Sequence, residues 1–236
     1  MEVVRSACAT APRLRGVRLF RRLLTKRQLR SGSDRQWGLA MQNDLTDAVE
    51  WAVHEGIADP RRTGISGISY GGYASLAGAT FTPDVYRCAI DVVGPSSLFT
   101  LLRSIPAYWG PMKGMLLSRC GDPDAPEDKE LLTAASPLYS AHQIHIPMLI
   151  GQGANDPRVT QQESEQIFEA IANNRGRATY VLYSDEGHGF ARPDNRLDWY
   201  AREEKFLAEN LDGRFEPMTA DRTPGSTAVV REVGGR

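Results

Sequence analysis

Three side chains in this sequence could together perform nucleophilic catalysis: Ser69, Asp156 and His188. Ser69 is the centre of Gly-Ile-Ser-Tyr-Gly, directly after an apolar run that begins at Thr63. This spacing predicts a nucleophile elbow, in which a strand turns sharply into a helix and small flanking residues let the two backbones approach closely. A serine hydroxyl is a weak nucleophile until a base takes its proton. The motif therefore indicates acyl transfer, provided that a base lies nearby.

A base and a carboxylate follow the serine in the order that α/β-hydrolases use. Asp156 comes just past the apolar run Pro-Met-Leu-Ile, and His188 lies in Asp-Glu-Gly-His-Gly-Phe after Ala-Thr-Tyr-Val-Leu-Tyr. Both would lie at the carboxyl ends of parallel strands, where catalytic loops gather. Asn-Asp-Pro is also an ordinary turn, and an aspartate before a helix is often a cap. The order favours a triad in which Ser69 attacks, His188 moves the proton and Asp156 orients the imidazole.

The helix that begins after Ser69 would also stabilise a developing oxyanion. Its backbone N–H groups and its positive dipole end point toward the nucleophile. We expect the backbone N–H of Tyr70 to be the first oxyanion donor. No group of residues has metal-ligand spacing, so the sequence predicts neither a metal nor another cofactor.

Strand and helix patterns alternate from Trp37 onward, which predicts an α/β fold with a mostly parallel sheet. Predicted helices span residues 37–55, 69–80, 161–173 and 197–210, and predicted strands span 63–66, 88–93, 147–150 and 178–183. The apolar region 96–136 is either a wall of a substrate pocket or a helical layer that packs on the sheet. Residues 34–213 are therefore expected to form the catalytic domain.

The two ends differ from this domain. Residues 1–33 form a basic arm, with ten of the 28 basic residues of the chain between Arg5 and Arg35. Its apolar residues at helical spacing suit either a membrane-surface or targeting helix, or a solvated arm without a specific function. Residues 214–236 are polar, rich in Thr, Pro and Gly, and without periodicity, so we expect a disordered tail.

Composition excludes several classes of protein. A formal net charge of −1 gives no reason to expect nucleic acid as a partner. No apolar run reaches the roughly 18 residues that span a bilayer, so we expect no membrane insertion. The three cysteines, Cys8, Cys88 and Cys120, are widely spaced, which is typical of a reducing cytoplasm.

The chain from 34 to 211 resembles the prolyl oligopeptidase family of serine peptidases, nearest its acylaminoacyl-peptidase-like branch. The resemblance rests on WGLAMQNDLTDAVEWAVHEGIADPRRTGISGISYGGYA, VGPSSLFTLLRSIPAYW, GQGANDPRV and YVLYSDEGHGFARPDNR. It implies an α/β-hydrolase fold, the triad Ser69, Asp156 and His188, and hydrolysis of peptide or acyl-peptide substrates. It also implies that Tyr108, Trp109 and Val159 lie near the pocket for the residue before the scissile bond.

The resemblance also predicts a partial fold. The four predicted strands are the C-terminal half of an α/β-hydrolase sheet, and nothing in this sequence could form the β-propeller of the family. The loop that carries the second oxyanion donor would be missing. One side of the strand at Thr63 would be unpaired, and an exposed edge can pair with another copy of the chain. Two alternatives to a peptidase stay open: a carboxylesterase with the same triad, and an inactive remnant.

Overall fold

The structure, a computed structural model, describes residues 33–219 and 222–234. Within these ranges the chain forms one five-stranded sheet with helices on both faces. Its strands are β1 (Gly64–Ile68), β2 (Cys88–Val92), β3 (Met148–Gly153), β4 (Ala178–Tyr183) and β5 (Ala228–Val233). The order across the sheet follows the chain, β1 to β4 are parallel, and β5 is antiparallel to β4. The predicted fold, the C-terminal half of a mostly parallel α/β-hydrolase sheet with flanking helices, agrees with this arrangement.

The first α-helix of the described residues precedes β1, the next five connect the parallel strands, and the last one leads toward β5. They are α1 (Ala40–His54), α2 (Tyr70–Phe81), α3 (Leu98–Arg103), α4 (Gly110–Cys120), α5 (Lys129–Ala134), α6 (Gln161–Asn173) and α7 (Pro193–Leu211). The helix predicted at 161–173 coincides with α6, and the strand predicted at 178–183 coincides with β4. The helix predicted at 197–210 begins four residues earlier, at Pro193, because proline is well suited to the first turn of a helix.

Alternate side chains of the strands fill two apolar layers, as the period of two in a strand requires. One layer lies against α1, α2 and α6, and the other lies against α7. The strand residues of the first layer are Ile65, Ala89, Met148, Ile150, Ala178 and Tyr180, and those of the second are Ile90, Val92, Leu149, Val181 and Tyr183. Both faces of the central strands are therefore buried, which explains their continuous apolar sequence.

The region 96–136 was expected to form either a pocket wall or a helical layer, and it forms a helical layer. Helices α3, α4 and α5 pack on α2 through a third apolar cluster. Its buried members include Tyr73, Leu98, Leu102, Leu132 and Val159. This layer covers the helix that begins at the predicted elbow, so the inserted residues support the site from behind.

The expectation of a disordered tail at 214–236 is wrong for its last part. Residues 228–233 form β5, which pairs with β4 from Tyr183↔Ala228 to Ala178↔Val233. The strand lies at the sheet edge, and Val229 remains 54% exposed. The strand reads Ala-Val-Val-Arg-Glu-Val, in which three valines favour a strand but no apolar alternation marks a buried face. Backbone pairing with β4 holds it in place.

The opposite edge of the sheet is β1. Among the described residues β1 pairs with β2 on one side and with no strand on the other, as the sequence predicts. No helix of the described part is long and apolar enough to cross a membrane. Cys88 and Cys120 are buried free thiols. The basic arm, apart from Ser33, lies outside the described residues.

Candidate active site

Ser69 occupies a sharp turn between β1 and α2. Its φ of 60° and ψ of −117° lie in a region that residues with a side chain rarely adopt. The turn is held at both ends, because the Ser69 N–H donates to the Val92 carbonyl at 2.8 Å and the Tyr73 N–H donates to the Ser69 carbonyl at 3.0 Å. Packing that enforces a strained backbone is a feature of functional sites. The predicted elbow is present, with Ser69 between the end of β1 and the start of α2.

One of the two flanking glycines makes this turn sterically feasible. A Cβ at Gly67 would overlap the carbonyl group of Gly71 and would lie 2.7 Å from its Cα. By contrast, a Cβ at Gly71 would meet no atom within 4 Å. The close approach of strand and helix backbones therefore requires glycine at the first position only.

His188 lies between the other two predicted triad residues. Its Nε2 is 2.8 Å from the Ser69 Oγ, and its Nδ1 is 2.6 Å from the Asp156 Oδ2. An ionised carboxylate only accepts hydrogen bonds, so Nδ1 carries the proton and Nε2 is left free to accept from the serine hydroxyl. The Asp156 side chain has no exposed surface, and that of His188 is 14% exposed. The structure thus brings the three side chains into one hydrogen-bonded chain.

The loop after β3 fixes the Asp156 carboxylate. The second oxygen, Oδ1, accepts the backbone N–H groups of Arg158 at 2.8 Å and Val159 at 3.0 Å. The buried amide of Gln152 closes the loop, because its Nε2 donates to the carbonyls of Gly153 and Val159 at 3.0 and 3.1 Å. These bonds leave Oδ2 as the oxygen that faces the imidazole.

Glu186 has the corresponding role in the loop that carries His188. Its two carboxylate oxygens accept the N–H groups of Ala191 and Arg192, each at 2.8 Å. Its own carbonyl accepts the N–H of Asn155, next to Asp156, at 2.8 Å. One residue therefore ties the histidine loop to itself and to the aspartate loop.

Tyr70, the predicted oxyanion donor, is the first residue of α2. The first N–H groups of a helix have no partner inside the helix, so the Tyr70 N–H is available to a developing oxyanion. The ring of Tyr70 is held by Trp37, whose ring centroid lies 4.7 Å away in an edge contact. Burial raises the pKa of the Tyr70 phenol to about 12, so this side chain is neutral at physiological pH.

The three residues expected near the substrate pocket lie in different environments. Tyr108 is 70% exposed, whereas Val159 is 4% exposed and belongs to the cluster beneath the site. The Arg158 guanidinium lies over the Trp109 ring, 5.7 Å from its centroid. Trp109 is therefore linked to the loop of Asp156, while Tyr108 projects from the same turn toward solvent.

A buried carboxyl lies directly beneath the elbow. Asp91 has no exposed surface, and its Oδ1 accepts the N–H of Gly94 at 2.9 Å. Burial raises its pKa well above the ordinary value, and the nearby Glu163 adds to this shift. The Glu163 carboxylate accepts the N–H groups of Ser96 and Ser97 at 2.9 and 3.0 Å. These groups hold the chain after β2 under the nucleophile.

Sequence reasoning missed the residues that hold the catalytic loops, chiefly Gln152 and Glu186. For Glu186 a signal existed, since an acidic residue two positions before His188 in a glycine-flanked loop suits the capping of backbone N–H groups. Gln152 lies inside a strand, and nothing in its sequence context marks it. Its partner across the loop is seven residues away.

Comparison with known proteins shows the family of this chain. The sequence model of the prolyl oligopeptidase family matches residues 26–214. The chain belongs to the prolyl oligopeptidase family. The chain is 51% identical over 194 residues to dipeptidyl aminopeptidase BIII of Pseudoxanthomonas mexicana, with 82% of the chain covered. It is 39% identical over 209 residues to dipeptidyl peptidase family member 6 of Caenorhabditis elegans, with 88% covered.

Solved structures of peptidases have a similar fold. A puromycin-hydrolyzing peptidase of Mycobacterium tuberculosis superposes with a TM-score of 0.73 at 30% identity over 80% of the chain. An acylaminoacyl peptidase in complex with a chloromethyl ketone gives a TM-score of 0.69 at 23% identity over 82% of the chain, a likeness of fold alone. The chain spans 28% of the length of each of the two curated relatives and of the mycobacterial structure, and 31% of the length of the acylaminoacyl peptidase.

Proposed function

We propose that this chain carries the catalytic machinery of a serine peptidase that hydrolyses peptide or acyl-peptide bonds through an acyl-enzyme. One observation carries the proposal: the hydrogen-bonded chain from Ser69 through His188 to Asp156, with distances of 2.8 and 2.6 Å. Those distances are within the reach that proton transfer needs. Family membership supports the same chemistry.

In the proposed reaction the Ser69 hydroxyl attacks the substrate carbonyl while His188 accepts its proton at Nε2. The imidazolium then gives this proton to the leaving amine, and the peptide bond breaks. Water repeats the sequence on the acyl-enzyme and releases the acid. Asp156 keeps the neutral imidazole of His188 in the tautomer with the proton on Nδ1, and it stabilises the imidazolium that forms. The two N–H bonds to the Asp156 Oδ1 support this role.

The oxyanion of the tetrahedral intermediate would be stabilised by the N–H of Tyr70 at the N-terminus of α2. The twelve residues of α2 add the positive end of their dipole at the same place. Loss of one oxyanion donor typically lowers turnover by about 10² to 10³. That the second oxyanion donor is absent stays a prediction, and its consequence would be slow turnover.

Relatives suggest which substrates to examine first. The names of the two curated relatives describe enzymes that act on dipeptidyl units. We extend this to the present chain as a preference for peptides cleaved after a short N-terminal unit. Trp109, with Arg158 over its ring, and the neighbouring Tyr108 would border the pocket, and Val159 would form its base from beneath.

Active-site titration with a fluorophosphonate tests the proposal. We expect stoichiometric labelling of the wild-type chain and no labelling of Ser69→Ala at equal folded content by circular dichroism. Hydrolysis of dipeptidyl anilides and acyl-aminoacyl anilides should then exceed that of a nitrophenyl ester of similar size. Labelling with ester turnover alone would support the carboxylesterase. A folded wild-type chain that is not labelled would support the inactive remnant.

We also propose that β1 pairs with a second copy of the chain. An exposed edge strand presents unpaired N–H and C=O groups, and β1 has no partner strand on its outer side among the described residues. Light scattering after size exclusion should show association that increases with concentration. A monomer at every concentration would contradict this proposal.

The cytoplasmic location and the domain limits are proposals of the same kind. The buried free thiols of Cys88 and Cys120 are compatible with a reducing compartment. We extend the catalytic unit from residue 213 to Val233, because β5 pairs with β4 as the fifth strand of the sheet. Cell fractionation and limited proteolysis test these two proposals.

A further inference from the structure

The segment that leads into β5 is bonded to the elements on either side of the histidine loop. This segment lies beyond the family match, which ends at residue 214. The Thr227 hydroxyl donates to the Asp185 Oδ1 at 2.5 Å, and its N–H donates to the Asn195 Oδ1 at 2.9 Å. The N–H of Gly225 donates to the Asp194 Oδ2 at 2.9 Å. Asp185 begins the loop of His188, and Asp194 and Asn195 begin α7.

Asn195 relays these contacts to Glu186. It has no exposed surface, and its Nδ2 donates to the Glu186 Oε1 at 2.9 Å and to the Asp185 Oδ1 at 2.8 Å. An amide side chain can rotate by half a turn and exchange its oxygen and nitrogen. Here the N–H of Thr227 can pair only with an oxygen, so it selects the rotamer that directs Nδ2 at the two carboxylates.

The same contacts keep two adjacent acidic side chains together. Asp185 and Glu186 are consecutive, and Asn195 donates to both. The Thr227 hydroxyl bond lowers the pKa of Asp185, with smaller contributions from Asn195 and from the Arg192 charge. Without these donors the two carboxylates would repel each other. The Glu186 carboxylate is the group that accepts the N–H bonds across the His188 loop, so such repulsion would act on the loop directly.

We propose that Thr227 is a positioning residue for His188 and that the segment 225–233 latches the catalytic loop. Thr227 orients Asn195, Asn195 orients Glu186, and Glu186 closes the loop so that the imidazole reaches both Ser69 and Asp156. A displacement of about 1 Å at a catalytic group can cost about 10² in rate. The consequence for catalysis rests on the proposed function, whereas the latch itself does not.

Three substitutions in the full chain test the latch. Thr227→Val keeps the shape of the side chain and loses the hydroxyl, and Thr227→Ser keeps the hydroxyl. Thr219→Val, the same change at an exposed threonine outside the segment, is the control. Hydrogen exchange by mass spectrometry reports the peptide over residues 185–192 directly. We expect Thr227→Val to exchange about fivefold to tenfold faster there, as loss of one charge-assisted hydrogen bond implies. Thr227→Ser and Thr219→Val should exchange like wild type.

A general loss of stability has a different signature. In that case the peptide over α6 (Gln161–Asn173), on the other side of the sheet, would accelerate by the same factor. Equal acceleration of both peptides, or no acceleration over 185–192, would overturn the proposal. Faster exchange confined to 185–192 supports it.

Fluorophosphonate labelling adds the catalytic readout. Thr227→Val should label about tenfold more slowly than wild type, with an unchanged KM for the anilide and a lower kcat. Thr227→Ser should restore the rate. If wild type is not labelled, the proposed function fails, and hydrogen exchange still decides the latch. If Thr227→Val labels like wild type, His188 does not depend on the latch.

Discussion

Gly67 and Gly71 lie so close across the elbow that a Cβ on Gly67 would overlap the Gly71 carbonyl group. A Cβ on Gly71 would meet open space. Although the two glycines occupy symmetric positions around Ser69 in the sequence, their steric requirements differ. This asymmetry provides a matched pair of substitutions.

Gly67→Ala should destroy the elbow, while Gly71→Ala should be tolerated. In the first variant the overlapping backbones must separate, which displaces Ser69, so we expect loss of fluorophosphonate labelling and a lower melting temperature. In the second, alanine in a helix is favoured over glycine by about 1 kcal/mol. Equal labelling of the two variants would show that the close approach is unimportant.

Asp156→Asn should lower kcat by about 10⁴ because an amide can stabilise the wrong imidazole tautomer. The Oδ1 of asparagine can still accept the N–H groups of Arg158 and Val159, so the loop should keep its structure. Steady-state kinetics with an anilide substrate and circular dichroism measure the two effects. A kcat within tenfold of wild type would contradict the assigned role.

Gln152→Met should weaken the loop of Asp156. The substitution keeps the length of the side chain but leaves the carbonyls of Gly153 and Val159 without the amide donor, at a cost of about 1 to 3 kcal/mol. Chemical denaturation should show this loss, and labelling should slow. Gln161→Met is the control: it removes only a partly buried bond to Glu165, four residues along α6, so it should lower stability by at most about 0.5 kcal/mol and leave labelling unchanged.

Deletion of residues 223–236 should lower the melting temperature by several degrees. It removes β5, exposes the edge of β4 and leaves Asp185 and Asn195 without Thr227. In a chain of this size a loss of 1 kcal/mol corresponds to about 2 to 4 °C. A melting temperature equal to that of the full chain would restore the expectation of a disordered tail.

The stability difference between wild type and Thr227→Val should depend on pH. The Thr227 hydroxyl bond is the main cause that lowers the pKa of Asp185 in the folded chain. The carboxylate form therefore stabilises the folded state above the ordinary pKa of about 3.9, and this contribution disappears as pH falls through the lower folded value. The difference between the two melting temperatures should have its full size at pH 6 and should shrink as the pH falls below about 4. A difference that does not change with pH would exclude Asp185 as its source.

The sequence by itself determined those parts of the molecule whose signals are local. The elbow is a five-residue pattern in which glycine and serine have positional meaning, and β4 and α6 have periodicities that a short window reveals. The order of Ser69, Asp156 and His188, each after an apolar run, predicted that parallel strands would bring them together. The structure places them in hydrogen-bond contact, because the carboxyl ends of parallel strands share one edge of the sheet.

Only the tertiary structure decided how these residues are held. Thr227 and Asp185 are 42 positions apart, and no pattern in either segment predicts their contact. β5 is held by backbone pairing and by hydrogen bonds at its start, so a sequence without apolar alternation can still form a strand. Gln152 acts on a loop through side-chain geometry that depends on the path of the loop itself. Such interactions are absent from local patterns because their energy exists only once distant segments have met.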